Sequence, residues 1–134
     1  MAFTVVNPSG PIKITRGRAW NLSAVAGSGT LTATGQAVEF TPGYVDLFNQ
    51  RKLVVQAVGT ITSPTGLLEA SNDGGTTWFV VPALTSDLTV TGAADTAPAF
   101  VARYEISGIS SALYRFGFTA GTFTGGTSVW VAVD

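Results

Sequence analysis

The sequence predicts an all-β fold, an antiparallel β-sandwich or jelly-roll-like domain, and three observations predict it. Short β-branched and apolar runs alternate with Gly, Pro, Asn and Asp turn signals about every dozen residues. Sixteen glycines accompany frequent threonine, a composition suited to strands and tight turns. No long stretch repeats apolar residues at the three-and-four spacing of an amphipathic helix. The 134 residues form one domain. A domain this size buries roughly two-thirds of its unfolded surface, so its core needs no covalent staples.

Taken in order, the first twenty residues differ from the rest. Asn7-Pro8-Ser9-Gly10-Pro11 interrupts regular structure, because each proline removes a ladder donor and fixes φ. Residues 1–19 are therefore expected to form an extended N-terminal arm, and residues 20–134 a single β-sandwich domain. Lys13, Arg16 and Arg18 supply three of the seven basic residues, and no acid precedes Glu39. Two readings of this segment stand side by side. One is an edge strand protected by charge; the other is an arm that contacts an acidic neighbouring subunit. Three charges without aromatic partners are too few for nucleic acid.

Further on, Asp46-Leu47-Phe48-Asn49 has the makings of one short helical turn. Arg51–Val58 runs apolar almost without a break, the pattern of a strand covered on both faces. Pro98–Ile106 is a long run into a Ser107-Gly108 turn. In Leu113–Thr119, Tyr114, Phe116 and Phe118 share one face, with Arg115 and Gly117 on the other. In Ser128–Val133, Val129, Val131 and Val133 alternate with Ser128, Trp130 and Ala132.

The most specific stretch is Ser71-Asn72-Asp73-Gly74-Gly75-Thr76-Thr77-Trp78, between the strand-like runs Leu67–Ala70 and Phe79–Val81. Asn and Asp accept local backbone hydrogen bonds and the glycines supply positive φ, so this is a hairpin turn. The Asp73 carboxylate is placed to accept from tip amides, and Trp78 to pack back over the strands. Ser71, Asp73, Gly75, Thr77 and Trp78 also match the Ser-x-Asp-x-Gly-x-Thr-Trp pattern and so resemble the Asp-box, a stabilised hairpin that recurs in sialidase blades and other β proteins. One copy, in a chain too short for a propeller, implies a structural element.

Composition excludes much chemistry. There is no cysteine and no histidine, which removes disulfides, thiolate sites and the commonest general base and metal ligand. Neither a P-loop nor a Gly-x-Gly-x-x-Gly fingerprint is present. Glu39 and Asp46, like Glu69 and Asp73, are close in sequence, and they read as solvated strand edges and turn caps. Asp73 stands alone, short of the six to eight oxygens about a calcium ion. The expectation is no enzyme, no cofactor and no metal. The opening Met-Ala-Phe-Thr-Val-Val lacks a basic region and a long apolar run, so we expect no signal peptide, no membrane span and synthesis in a cytoplasm. Only 11% of residues are charged, against about 25% in ordinary soluble domains. Weak charge favours association, and interface cores are depleted in charge.

A wider resemblance covers about residues 50–134. The succession Lys52–Val58, Leu67–Trp78, Val101–Ile109, Leu113–Thr122 and Thr127–Val133 resembles a module common in tailed-bacteriophage virion proteins. In that module a strand ending in E-x-S-N-D-G-G-T-T-W precedes two further strands and a closing one. Phe116 and Phe118 stand where small or charged residues are usual, and that strand lacks the pattern's second arginine. The resemblance implies a non-enzymatic capsid decoration, or cement, protein on the capsid exterior. Its partner would be the major capsid protein, and it would act as a homo-oligomer, a trimer by preference. Tyr114, Phe116, Phe118 and Trp130 are the expected oligomer or capsid interface. The alternative is a tail, baseplate or head-fibre component that binds a host surface glycan, with Trp20, Trp78, Trp130, Tyr44 and Tyr104 as stacking platforms. A tail-tube or connector assembly protein is a third reading.

Overall fold

Two long strands organise the sheet. In the computed structural model, which describes residues 3–7, 11–14, 18–23, 30–42, 51–83, 100–106 and 113–133, the strands are β1 (Thr4–Val5), β2 (Ile12–Ile14), β3 (Ala19–Asn21), β4 (Gln36–Pro42), β5 (Arg51–Ser71), β6 (Phe79–Val81), β7 (Phe100–Ile106) and β8 (Leu113–Val133). All eight belong to one sheet that follows the path β1-β4-β8-β5-β6, with β2 beside β4, β3 beside β8 and β7 beside β5. The all-β expectation holds. The sheet is mixed, because β1 and β2 both run parallel to β4 while the other pairs are antiparallel.

β5 and β8 pair from Leu53–Val133 to Ser71–Leu113, with register shifts between Gly59 and Gly66. Extra residues in one strand bend it and increase its twist. On one side of the irregular segment the strand order is β7-β5-β8-β3; on the other it is β6-β5-β8-β4. The two halves of the sheet share their central strands, and side chains from both meet in one buried cluster. Phe100 of β7 lies 5.5 Å, ring to ring, from both Phe116 and Phe118 of β8. Gly66 makes room for this approach: a Cβ there would sit 2.5 Å from the Phe100 ring and 2.8 Å from Phe116. An isolated bridge between Ala83 and Tyr104 ties the chain beyond β6 to β7.

Strand alternation fills the space between the halves. Leu53, Val55, Ala57, Val129 and Val131 meet Val38, Phe40, Leu68, Tyr114, Phe116 and Phe118 in one buried cluster. The expectation that β5 is covered on both faces along Arg51–Val58 is corrected. Leu53, Val55 and Ala57 are buried, but Gln56 and Val58 are exposed. The apolar residue Val58 lies on the outer side of the pleat, where continuous hydrophobicity gives no indication of facing.

The N-terminal segment is also corrected. In its described part it is no projecting arm: β1 and β2 cover the outer edge of β4, and β3 pairs with β8. Ile14 is 1% exposed and belongs to the core. Burying Ile14 and pairing an otherwise open strand edge both favour this docked course. The Asp46–Asn49 turn and the Ser107-Gly108 turn lie outside the described residues.

Asn7 stands between β1 and β2, where the backbone leaves β4. Its Nδ2 donates to the Glu39 carbonyl at 2.8 Å, and its Oδ1 accepts from the Glu39 N–H at 2.8 Å. The side-chain amide thus replaces a missing backbone partner. Asn7→Ala is expected to cost about 1–3 kcal/mol by leaving two backbone groups unpaired, a loss read from urea unfolding midpoints.

Candidate functional site

The outer face of the β4/β6 half carries a row of charges. Cross-strand register sets Glu69 of β5 opposite Arg115 of β8, and Arg115 opposite Glu39 of β4. Because Tyr114 and Phe116 point into the core, Arg115 must point outward. It is nevertheless buried. Its Nε donates to Glu69 Oε1 at 2.7 Å, and its guanidinium carbon lies 4.0 Å above the Trp78 ring and 5.4 Å from the Phe3 ring.

The hairpin after β5 brings Trp78 to that position. Ser71 Oγ donates to Asp73 Oδ1 at 2.8 Å and accepts from the Gly75 amide at 2.9 Å. Asp73 Oδ1 also accepts from the amides of Thr76 and Thr77, at 3.1 and 2.8 Å. Gly74 and Gly75 both have positive φ, 74° and 96°, which lets the chain reverse beneath these bonds. The Trp78 Nε1 then donates to the Gly75 carbonyl at 3.1 Å. The turn closes on itself and presents the indole to Arg115.

These bonds hold the Asp73 carboxyl below its ordinary value of 3.8, the Thr77 amide first and the Ser71 hydroxyl next. A depressed carboxyl contributes stability that is complete above its unfolded value and is lost as pH falls towards the folded one. Ser71→Ala is expected to lower stability near neutrality, because the Gly75 amide and Asp73 lose the buried hydroxyl. It should also shrink the stability lost on acidification, which urea unfolding at about pH 7 and about pH 3 reads directly.

Between hairpin, β8 and the N-terminal strands lies an open cleft of about 550 Å³. Val5, Pro11, Leu113 and Trp78 give it apolar walls; Gly74 and Gly75 form part of its lining, and Glu39 and Arg115 supply the charge. Burial raises the Glu39 carboxyl above its ordinary value of 4.5, and the nearby Arg115 charge partly opposes that rise. Glu69 is buried and bonded to Arg115, and it does not line the cleft. The two carboxylates therefore do not face each other across open space, as glycoside hydrolysis requires.

No family model, curated protein or solved structure matches this chain. Its own residues carry the functional reading.

Of the residues singled out in the sequence, the five hairpin positions Ser71, Asp73, Gly75, Thr77 and Trp78 come together in one turn, and Gly75 and Trp78 line this cleft. Three of the four expected interface residues do not lie on a surface. Tyr114, Phe116 and Phe118 are at most 2% exposed; they fill the space between the two halves of the sheet, so they offer nothing to a partner. The fourth, Trp130, is 37% exposed on the outer face of the β3/β7 half. Lys13 is exposed on β2, and the exposed Arg18 lies 4.0 Å over the half-buried Trp20 ring. Arg16 lies outside the described residues, as does Tyr44. Tyr104 is buried, which removes it as a sugar platform.

The reading of Glu69 as a solvated edge is corrected, since it is buried between β6 and β8 and Arg115 pairs with it. Its sequence signal was the pattern Leu68-Glu69-Ala70 beside Tyr114-Arg115-Phe116, each a single charge flanked by core residues on a strand. Among the described residues, no group of three or more metal-ligating side chains is gathered, and no helix is long and apolar enough to cross a membrane.

Proposed function

We propose that this chain is a non-enzymatic docking module of a virus particle, a decoration protein that binds the outer capsid shell of a tailed phage. The outer face of the β3/β7 half carries this reading. Trp130 sits opposite Gln56 and Asn21, with Val58 diagonal to it and Ala132, Val54 and Ala19 in the next row. Apart from Arg103 on β7, the outward side chains described there are uncharged. Around the exposed Trp130 the described neighbours are small polar and apolar groups, the composition of an interface core, where aromatic residues are enriched and charges depleted. Each copy would add a modest binding energy, and many equivalent sites on a shell multiply its effect.

Trp130→Glu is expected to weaken shell binding at least about tenfold, equal to about 1.4 kcal/mol, while the variant keeps a cooperative unfolding transition. Binding to purified undecorated shells, with copy number from quantitative gels, is the measurement. Hundreds of copies per particle support the reading. A few copies at the tail, measurable glycan affinity, or a Trp130 variant that binds like the parent overturn it.

A further inference from the structure

We infer that the cleft beneath the hairpin is a receptor for one basic side chain, a lysine or arginine presented by a protein partner of this module. The inference rests on the docking reading and adds the chemistry of a second contact, on a different face from Trp130.

Charge is the first support. The row Glu39–Arg115–Glu69 sets two carboxylates against one guanidinium, and the Nε of that guanidinium is already held by Glu69 at 2.7 Å. Of the two carboxylates in that row it is Glu39 that lines the cleft, and among the described residues Lys13, opposite Thr41, is the other cation on this face. Asp73 adds a further negative charge beside the lining glycines.

The walls are the second support. Val5, Pro11, Leu113 and Trp78 suit the methylene stem of a long basic residue, whose head then reaches Glu39. An apolar side chain would bury Glu39 further without pairing it. Burial already opposes ionisation of Glu39 in the unliganded protein. A carboxylate kept where it is partly desolvated and incompletely paired is relieved by an arriving cation.

The test uses the isolated full chain and small probes. Nα-acetyl-arginine amide and Nα-acetyl-lysine amide are titrated against the isotope-labelled protein, with Nα-acetyl-norleucine amide as the uncharged match. Saturable shifts of the Trp78 indole N–H and the Gly74 and Gly75 amides are expected with the two cations, at Kd on the order of 10 mM. Glu39→Gln keeps the side-chain shape, and loss of a partly desolvated pair should weaken cation binding about fivefold. Equal shifts with the norleucine amide, no saturable shift, or undiminished binding to Glu39→Gln overturn the inference.

Shell binding measured in parallel separates the two readings. Parent and Glu39→Gln protein that bind a shell equally overturn the cleft's role in docking and leave the Trp130 face standing. A protein that captures the arginine amide but no shell overturns the shell reading and leaves the cleft's chemistry intact.

Discussion

Replacing Arg115 with methionine is expected to lower the unfolding free energy by about 3–5 kcal/mol, because it leaves a buried carboxylate without its counter-charge. Glu69 accepts from the Arg115 Nε at 2.7 Å, and both residues are under 10% exposed. The guanidinium also packs 4.0 Å above Trp78, so the variant loses a ring contact too. The double replacement Glu69→Leu with Arg115→Met is the decisive partner. Two apolar side chains of similar volume avoid the desolvation of both charges, and such exchanges of buried pairs are often neutral or stabilising. Urea unfolding of the two single variants and the double should therefore show strong coupling. Additive losses would mean that Arg115 acts through packing alone.

Phe116→Ala is expected to cost about 3–5 kcal/mol, the loss usual for a large ring removed from a core. Phe116 is 0% exposed and lies within 5.5 Å, ring to ring, of Phe100 and Phe118. Those neighbours come from opposite halves of the folded sheet, so the vacated space cannot close from one side. Phe79→Ala provides the contrast. Phe79 is 41% exposed on β6, and its truncation should cost about 1 kcal/mol or less. Equal losses from the two variants would contradict the placement of the Phe116 ring between the halves.

These two residues also mark what could be read from the chain without coordinates. Period-two alternation sorted Tyr114, Phe116 and Phe118 of Leu113–Thr119 onto one face correctly, although that run and Ser128–Val133 belong to a single strand, β8. It could not say what that face meets. A face rich in aromatics reads the same whether it packs on a distant strand of its own chain or on a neighbouring molecule, and Phe100 is the partner that decides it here. Local chemistry was more legible. The Ser71–Trp78 turn depends on residues at most four apart in its hydrogen bonds, so its bonding follows from residue type and spacing. By contrast, Glu69 meets Arg115 across 46 positions and Asn7 meets Glu39 across 32. Pairings of that kind depend on strand order and register, which no local pattern encodes. The proline-broken N-terminus misled for the same reason: Asn7 supplies through its side chain the pairing that its flanking sequence denies the backbone.

Strand order has a further consequence for how the protein is made. β8 follows the other described strands in sequence, yet it lies between β4 and β5 in the sheet. A nascent chain lacks the central partner of both until Leu113–Val133 has left the ribosome. Chains cut short before Leu113 would leave β4 and β5 without that partner, unfolded and open to proteolysis.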